Sequence, residues 1–235
     1  MVRRQLMKQS KNILNYLIII GLIPIIILIG VTVFSDRSYL FIATAVAILA
    51  IVSVFLTFEK NETNTRRLVV LAVLIAISVV GRFIFVVLPG FKPVTAIVVI
   101  SAMFFGSEAG FLVGSLSALI SNIYFGQGPW TPFQMFAWGM LGFIAGFPYI
   151  SAKLKSSKLL LSLYGIFAGV AYSLIMDIWT VMAMDSTFNL SRYIAVVSLS
   201  FPFMIVYAVS NVIFLLITIK PIGEKLARIK KKYNI

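Results

Sequence analysis

Neither cysteine nor histidine occurs among the 235 residues. Their absence removes disulfides, thiolate nucleophiles, thiolate or imidazole metal sites and histidine acid–base chemistry together. Charge is scarce as well, at 11% of residues, and acidic charge is scarcer: 7 Asp and Glu stand against 20 Lys and Arg, a formal net charge of +13. A soluble domain averages roughly 45–50% apolar and about 25% charged residues. With 61% hydrophobic residues and a mean hydropathy of +1.06, this chain cannot bury its apolar surface in one core, and it reads as an all-α integral membrane protein.

Catalytic patterns are missing too. There is no Gly-x-x-x-x-Gly-Lys-Ser/Thr phosphate loop, no Ser-His-Asp set, no zinc motif and no pair of intramembrane carboxylates. The chain is therefore read as a non-enzyme without metal or cofactor, unable to hydrolyse ATP by itself.

What is present is a series of apolar runs near the length of about 20 residues that crosses a bilayer. Clear candidates lie at 13 to 34, 39 to 58, 67 to 88, 159 to 183 and 193 to 219. Between 93 and 150 the apolar sequence is broken by Gly106, Gly110, Gly126, Gly128, Pro129 and Pro132, and three shorter spans fit best, at 93 to 106, 109 to 125 and 132 to 150. Eight predicted transmembrane helices result. Glu108 falls in the tight turn between the fourth and fifth, because a carboxylate is costly at the bilayer centre.

Cations test the count. Eight spans put Arg3, Arg4, Lys8, Lys11, Lys60, Arg66, Arg67, Lys153, Lys155, Lys158 and the six from Lys220 to Lys232 on one face, against Arg37, Lys92 and Arg192 on the other. That asymmetry predicts a multi-pass cell-membrane protein with both termini cytoplasmic. Ile13 to Phe34 is too long for a signal-peptide core and reads as an anchor. The polar stretch Glu59 to Arg67 divides residues 1–65, a two-helix unit with a basic N-terminus, from a six-helix core at 66–220; residues 221–235 form a basic tail, read as lying near anionic lipid rather than on nucleic acid.

Small residues every fourth position allow helices to approach closely in lipid. Gly106, Gly110, Gly114 and Ala118 form one stripe, Gly142 and Gly146 a second, Gly165, Gly169 and Ser173 a third; the first two spans lack such a register and are expected at the periphery. Two ionisable residues fall within spans, Arg82 and Asp177, at matched depth below the outer surface, where they could pair beneath a cavity open to the outside. Two external loops combine constraint with aromatic and polar groups: Pro89-Gly90-Phe91-Lys92-Pro93, and Phe125-Gly126-Gln127-Gly128-Pro129-Trp130-Thr131-Pro132-Phe133-Gln134. Gln134 and Trp138 share a helix face at i, i+4. Together these suggest a ligand mouth facing outside.

Residues 67 to 220 resemble the substrate-binding S component of energy-coupling factor (ECF) vitamin transporters, through Phe91 to Ala96, Gly106 to Phe111 and above all Phe125 to Gly139; the cobalamin-type S components are closest in pattern. The two N-terminal spans depart from the six-helix pattern. The resemblance implies a vitamin captured near the outer face and released inward on a transmembrane coupling subunit with two ATPases, ATP being used by those partners. It also implies contact with the coupling subunit through an Ala-x-x-x-Ala patch, here Ala72 and Ala76. For cobalamin, flat walls and directed polar groups are expected from Phe91, Gln127, Trp130, Gln134 and Trp138, with Arg82 and Lys92 meeting the ligand's phosphate; Asp177 is counted among the substrate-binding residues as well. Alternatives are another vitamin or precursor (pantothenate, riboflavin, a queuosine precursor), a stand-alone proton-coupled carrier using Asp177 and Arg82, or a membrane scaffold without ligand.

Overall fold

The computed structural model describes residues 13–33, 39–57, 63–185 and 188–234. All regular structure among them is helical: a π-helical stretch Leu17–Leu22 running into α1 (Ile23–Val33), then α2 (Tyr39–Thr57), α3 (Thr63–Ile84), α4 (Val94–Phe105), α5 (Ser107–Phe125), α6 (Trp130–Ala145), α7 (Pro148–Ser156), α8 (Lys158–Asp185) and α9 (Leu190–Tyr233). The basic residues Arg3 to Lys11, Arg37 and Lys60 lie outside the described residues.

A helix falls on each of the eight apolar stretches, but fewer are long enough to cross a bilayer alone. Five qualify, Ile13–Gly30, Thr65–Ile84, Ser107–Phe125, Lys158–Asp185 and Leu190–Tyr233, and a sixth if α6 and α7 count as one bent span. The expected span at 132 to 150 is in fact broken: α6 and α7 meet at 78°. Pro148 opens α7, where its missing N–H breaks no helical bond, whereas further inside a helix its ring would clash with the preceding turn. The expected span at 93 to 106 is a helix of 12 residues, about 18 Å at 1.5 Å per residue against a hydrocarbon core of about 30 Å. Every residue of α4 except Phe104 is buried, so neighbouring helices rather than lipid surround it.

The small-residue stripes sit where helix backbones touch. A Cβ on Gly110 would stand 2.6 Å from the carbonyl oxygen of Gly142, and one on Gly114 2.6 Å from the backbone nitrogen of Gly139, so α5 and α6 meet backbone to backbone. Gly169 does the same against Ala208, joining α8 to α9. Gly142→Ala is expected to cost about 1–3 kcal/mol, because its methyl would collide with the Gly110 carbonyl, which cannot move without its helix. Thermal unfolding in detergent checks this; an unchanged midpoint would contradict the crossing.

The N-terminal helices pack on one flank of the core. Ile19, Ile23, Ala43, Val46 and Ala50 are fully buried, α2 lies against α5 and α6, and the Tyr16 ring meets Phe143 edge-on at 5.6 Å. At the opposite terminus the predicted tail is not separate from the last span. The 44-residue α9 continues through it, with Leu226 buried, Gly223 on the Phe104 ring and Lys230 Nζ donating to the Phe104 carbonyl at 2.9 Å.

Candidate ligand-binding site

At the sparsely charged end of the bundle, polar side chains from four helices form one hydrogen-bonded chain. Arg82, near the end of α3, donates through Nη1 to Ser121 Oγ and, at 2.7 Å, to Asn122 Oδ1 on α5. Asn122 Nδ2 donates to Thr131 Oγ1 at 3.0 Å and to Gln134 Oε1 at 2.8 Å, both on α6. Gln134 Nε2 then donates to the Tyr172 hydroxyl of α8 at 2.8 Å. Ser121, Asn122, Thr131, Gln134 and Tyr172 are buried, and a buried amide without such partners would cost a few kcal/mol.

One turn along α6 from Gln134, the indole of Trp138 is 1% exposed and forms the centre of an aromatic group. It stacks on Tyr172 at 5.2 Å and 18°, and Tyr172 meets Tyr207 of α9 edge-on at 5.1 Å. Two cations face these rings. Arg82 Cζ stands 5.3 Å from the Trp138 centroid and 4.6 Å from that of Phe125; Lys92 Nζ stands 5.8 Å from Trp138 and 5.4 Å from Tyr207. Burial, together with the charge of Arg82, lowers the Lys92 amine to about 7.

Two loops cover this end. The backbone of Lys92 is pinned to α9, its N–H donating to Ser210 Oγ at 2.9 Å while that hydroxyl donates to the Lys92 carbonyl at 3.3 Å. Gly90 beside it holds φ +78°, a conformation that favours glycine. In the second loop Gln127 Nε2 donates to the Leu119 carbonyl, and Thr131 Oγ1 donates to Gln127 Oε1 while accepting from the Gly128 N–H.

Arg82, Lys92, Gln134 and Trp138 thus converge, and Gln127 joins them through Thr131. The other expected residues do not. Phe91 packs between Phe85 and Phe214, and Trp130, 38% exposed, lies across Gly128. Asp177 corrects an expectation: it forms no ion pair with Arg82, and its Oδ2 accepts from Ser200 on α9 at 2.6 Å. Matched depth sets height along two helices but not the direction each side chain faces. Ala72 and Ala76 are both exposed on α3, on the face away from buried Leu71, Leu74, Ile75 and Ser78.

Five participants escaped the sequence reading: Ser121, Asn122, Thr131, Tyr172 and Tyr207. Asn122 had a usable signal, an amide within an apolar helix one position beyond Ser121, where lipid exposure would be costly. A groove of about 440 Å3 between α8 and α9, lined by Ile166, Val170, Phe201, Met204 and Ala208 among others, presents almost entirely apolar surface and so lacks the directed groups a polar ligand needs.

The fold is that of a multi-pass helical membrane protein, with a polar, aromatic cluster packed among its helices. The family comparison is specific: a family model described as ECF-type riboflavin transporter, S component, matches residues 62–228, more than two thirds of the chain. The chain belongs to this family, and α1 and α2 lie outside the matched region. Comparison with curated proteins and with solved structures gave no match. As an S component, a class of transporter subunit rather than enzyme, it works with the ECF module of a transmembrane coupling subunit and two ATPases.

Proposed function

We propose that the Trp138 cluster is the vitamin-binding site of this S component and that its ligand is a vitamin with a flat conjugated ring. The observation that carries the reading is the stacked Trp138–Tyr172 pair bordered by Asn122, Thr131 and Gln134. A planar heterocycle needs aromatic faces for its rings and amide or hydroxyl groups for its edges, and both occur here. Riboflavin has that shape, and the matched family carries its name. Cobalamin is the second reading, supported by Arg82 and Lys92, two cations suited to its phosphate.

In this reading the basic end faces the cytoplasm, which the charge asymmetry supports. Residues 66–220 form the S-component core, residues 1–65 an added flank, and the exposed Ala72 and Ala76 meet the coupling subunit. Small side chains let that subunit approach the α3 backbone closely and slide.

Equilibrium binding of riboflavin, cobalamin and pantothenate to the purified protein in detergent tests the ligand class. Saturable binding of riboflavin or cobalamin, without pantothenate, is expected. Pantothenate alone would contradict the reading, since it has no ring to stack.

A further inference from the structure

Arg82 and Lys92 put two positive charges against one indole. Neither meets a carboxylate among the described residues. The polar partners of Arg82 are the neutral Ser121 and Asn122, both engaged through Nη1, and the Lys92 ammonium faces the rings of Trp138 and Tyr207. The carboxylate on the adjoining helix, Asp177, takes the Ser200 hydroxyl instead. Half-buried like charges on one ring repel each other and have given up part of their hydration, so an arrangement of this kind is incomplete until an anion joins it. The guanidinium is also ready to receive one. Its Nε and Nη2 donate to no described residue, and an arginine fork matches phosphate or carboxylate oxygens two at a time.

We infer that the ligand of this site carries an anionic group, a phosphate or carboxylate joined to the flat ring system, held between Arg82 and Lys92 while the ring lies against Trp138. The inference rests on the vitamin-site reading above and sharpens it. Neutral riboflavin leaves both cations unanswered; riboflavin 5′-phosphate, or the phosphodiester of a corrinoid, answers them.

A proton accompanies such a ligand. Lys92 lies in the loop between α3 and α4 with its amine lowered to about 7, and the titratable or charged groups nearest it are Arg82 on α3, Tyr172 on α8 and Tyr207 on α9. An anion beside Lys92 favours its charged form, so the complex keeps a proton that the free protein loses as pH rises through 7. Affinity is therefore complete below 7 and falls above it. Between pH 7.5 and 9, where the phosphate is already fully ionised, binding should weaken by up to about tenfold, to the level of a chain without the Lys92 charge.

Riboflavin and its 5′-phosphate, titrated into the full-length protein and into Lys92→Met and Lys92→Arg, provide the test. The phosphate ester should bind about tenfold more tightly than riboflavin to the wild type. That preference should vanish in Lys92→Met, and in Lys92→Arg it should persist without the pH dependence. Equal affinity for both flavins, unaltered in Lys92→Met, would overturn the anion inference while leaving the vitamin site standing. If neither flavin binds, the flavin reading fails and thermal unfolding in phosphate against chloride, at matched ionic strength, decides the inference. A midpoint raised by phosphate in the wild type but not in Lys92→Met supports it, and no rise overturns it.

Discussion

Trp138→Phe should bind the vitamin about tenfold more weakly than the wild type while unfolding within a few degrees of it. Phenylalanine keeps a ring against Tyr172, so the packing of α6 on α8 survives. It loses indole area, and it is a poorer partner for the Arg82 and Lys92 charges, which together face Trp138 within 6 Å. Cation–π contacts contribute roughly 0.5–2 kcal/mol each, and about 1.4 kcal/mol corresponds to a factor of ten. Trp138→Ala is a worse probe, because removing a fully buried tryptophan costs about 3–5 kcal/mol of stability and confounds binding with folding. Calorimetric titration beside a thermal melt separates the two effects, and an unchanged affinity in Trp138→Phe would remove the cluster from consideration as the vitamin site.

Vitamin uptake should be reduced at least about tenfold by the double substitution Ala72→Leu, Ala76→Leu, with vitamin binding unaltered. Both alanines are exposed on α3, beside Val69, Val73, Ile77 and Val80, so added isobutyl groups meet lipid rather than core. The same groups hold a partner helix away from the α3 backbone, where close approach depends on small residues. Uptake into proteoliposomes containing the complete ECF module, compared with equilibrium binding to the variant alone, reads both quantities. Wild-type uptake by the variant would place the coupling surface elsewhere.

The apolar runs were readable because each turn of an uninterrupted apolar helix repeats the same message: membrane or core. The runs did not tell these two environments apart. The stretch at 93 to 106 is apolar for want of lipid and water alike, since α4 is enclosed by other helices. The break before Pro148 likewise depends on Gly146 backing onto the Gly106–Ser107 backbone, a contact between segments about 40 positions apart.

Within the site, Arg82 was legible because a cation in a span demands an explanation, and Gln134 and Trp138 because their spacing fixes a shared face. Their partners were less so. Whether Arg82 turns to Asn122 or to Asp177 depends on how α3, α5 and α8 are rotated about their axes, which depth along each helix does not specify. The string from Phe125 to Gly139 pointed to the S-component class, to which the chain belongs, and lies within the matched region, but it does not specify the vitamin. Much of it builds the turn itself: Gly126 at φ +100°, Gly128 beneath Trp130, and Thr131 bound to Gln127. Residues that shape a loop record family more faithfully than ligand, and the family matched carries riboflavin, not cobalamin, in its description.

Uptake of labelled vitamin by proteoliposomes, with the chain alone and with the chain plus coupling subunit, both ATPases and ATP, separates an S component from a stand-alone carrier. Sustained uptake is expected only with the module and ATP, and none from the chain alone under an imposed proton gradient. Gradient-driven uptake by the chain alone would contradict that expectation and return Asp177 and Arg82 to the role of a proton-coupled carrier.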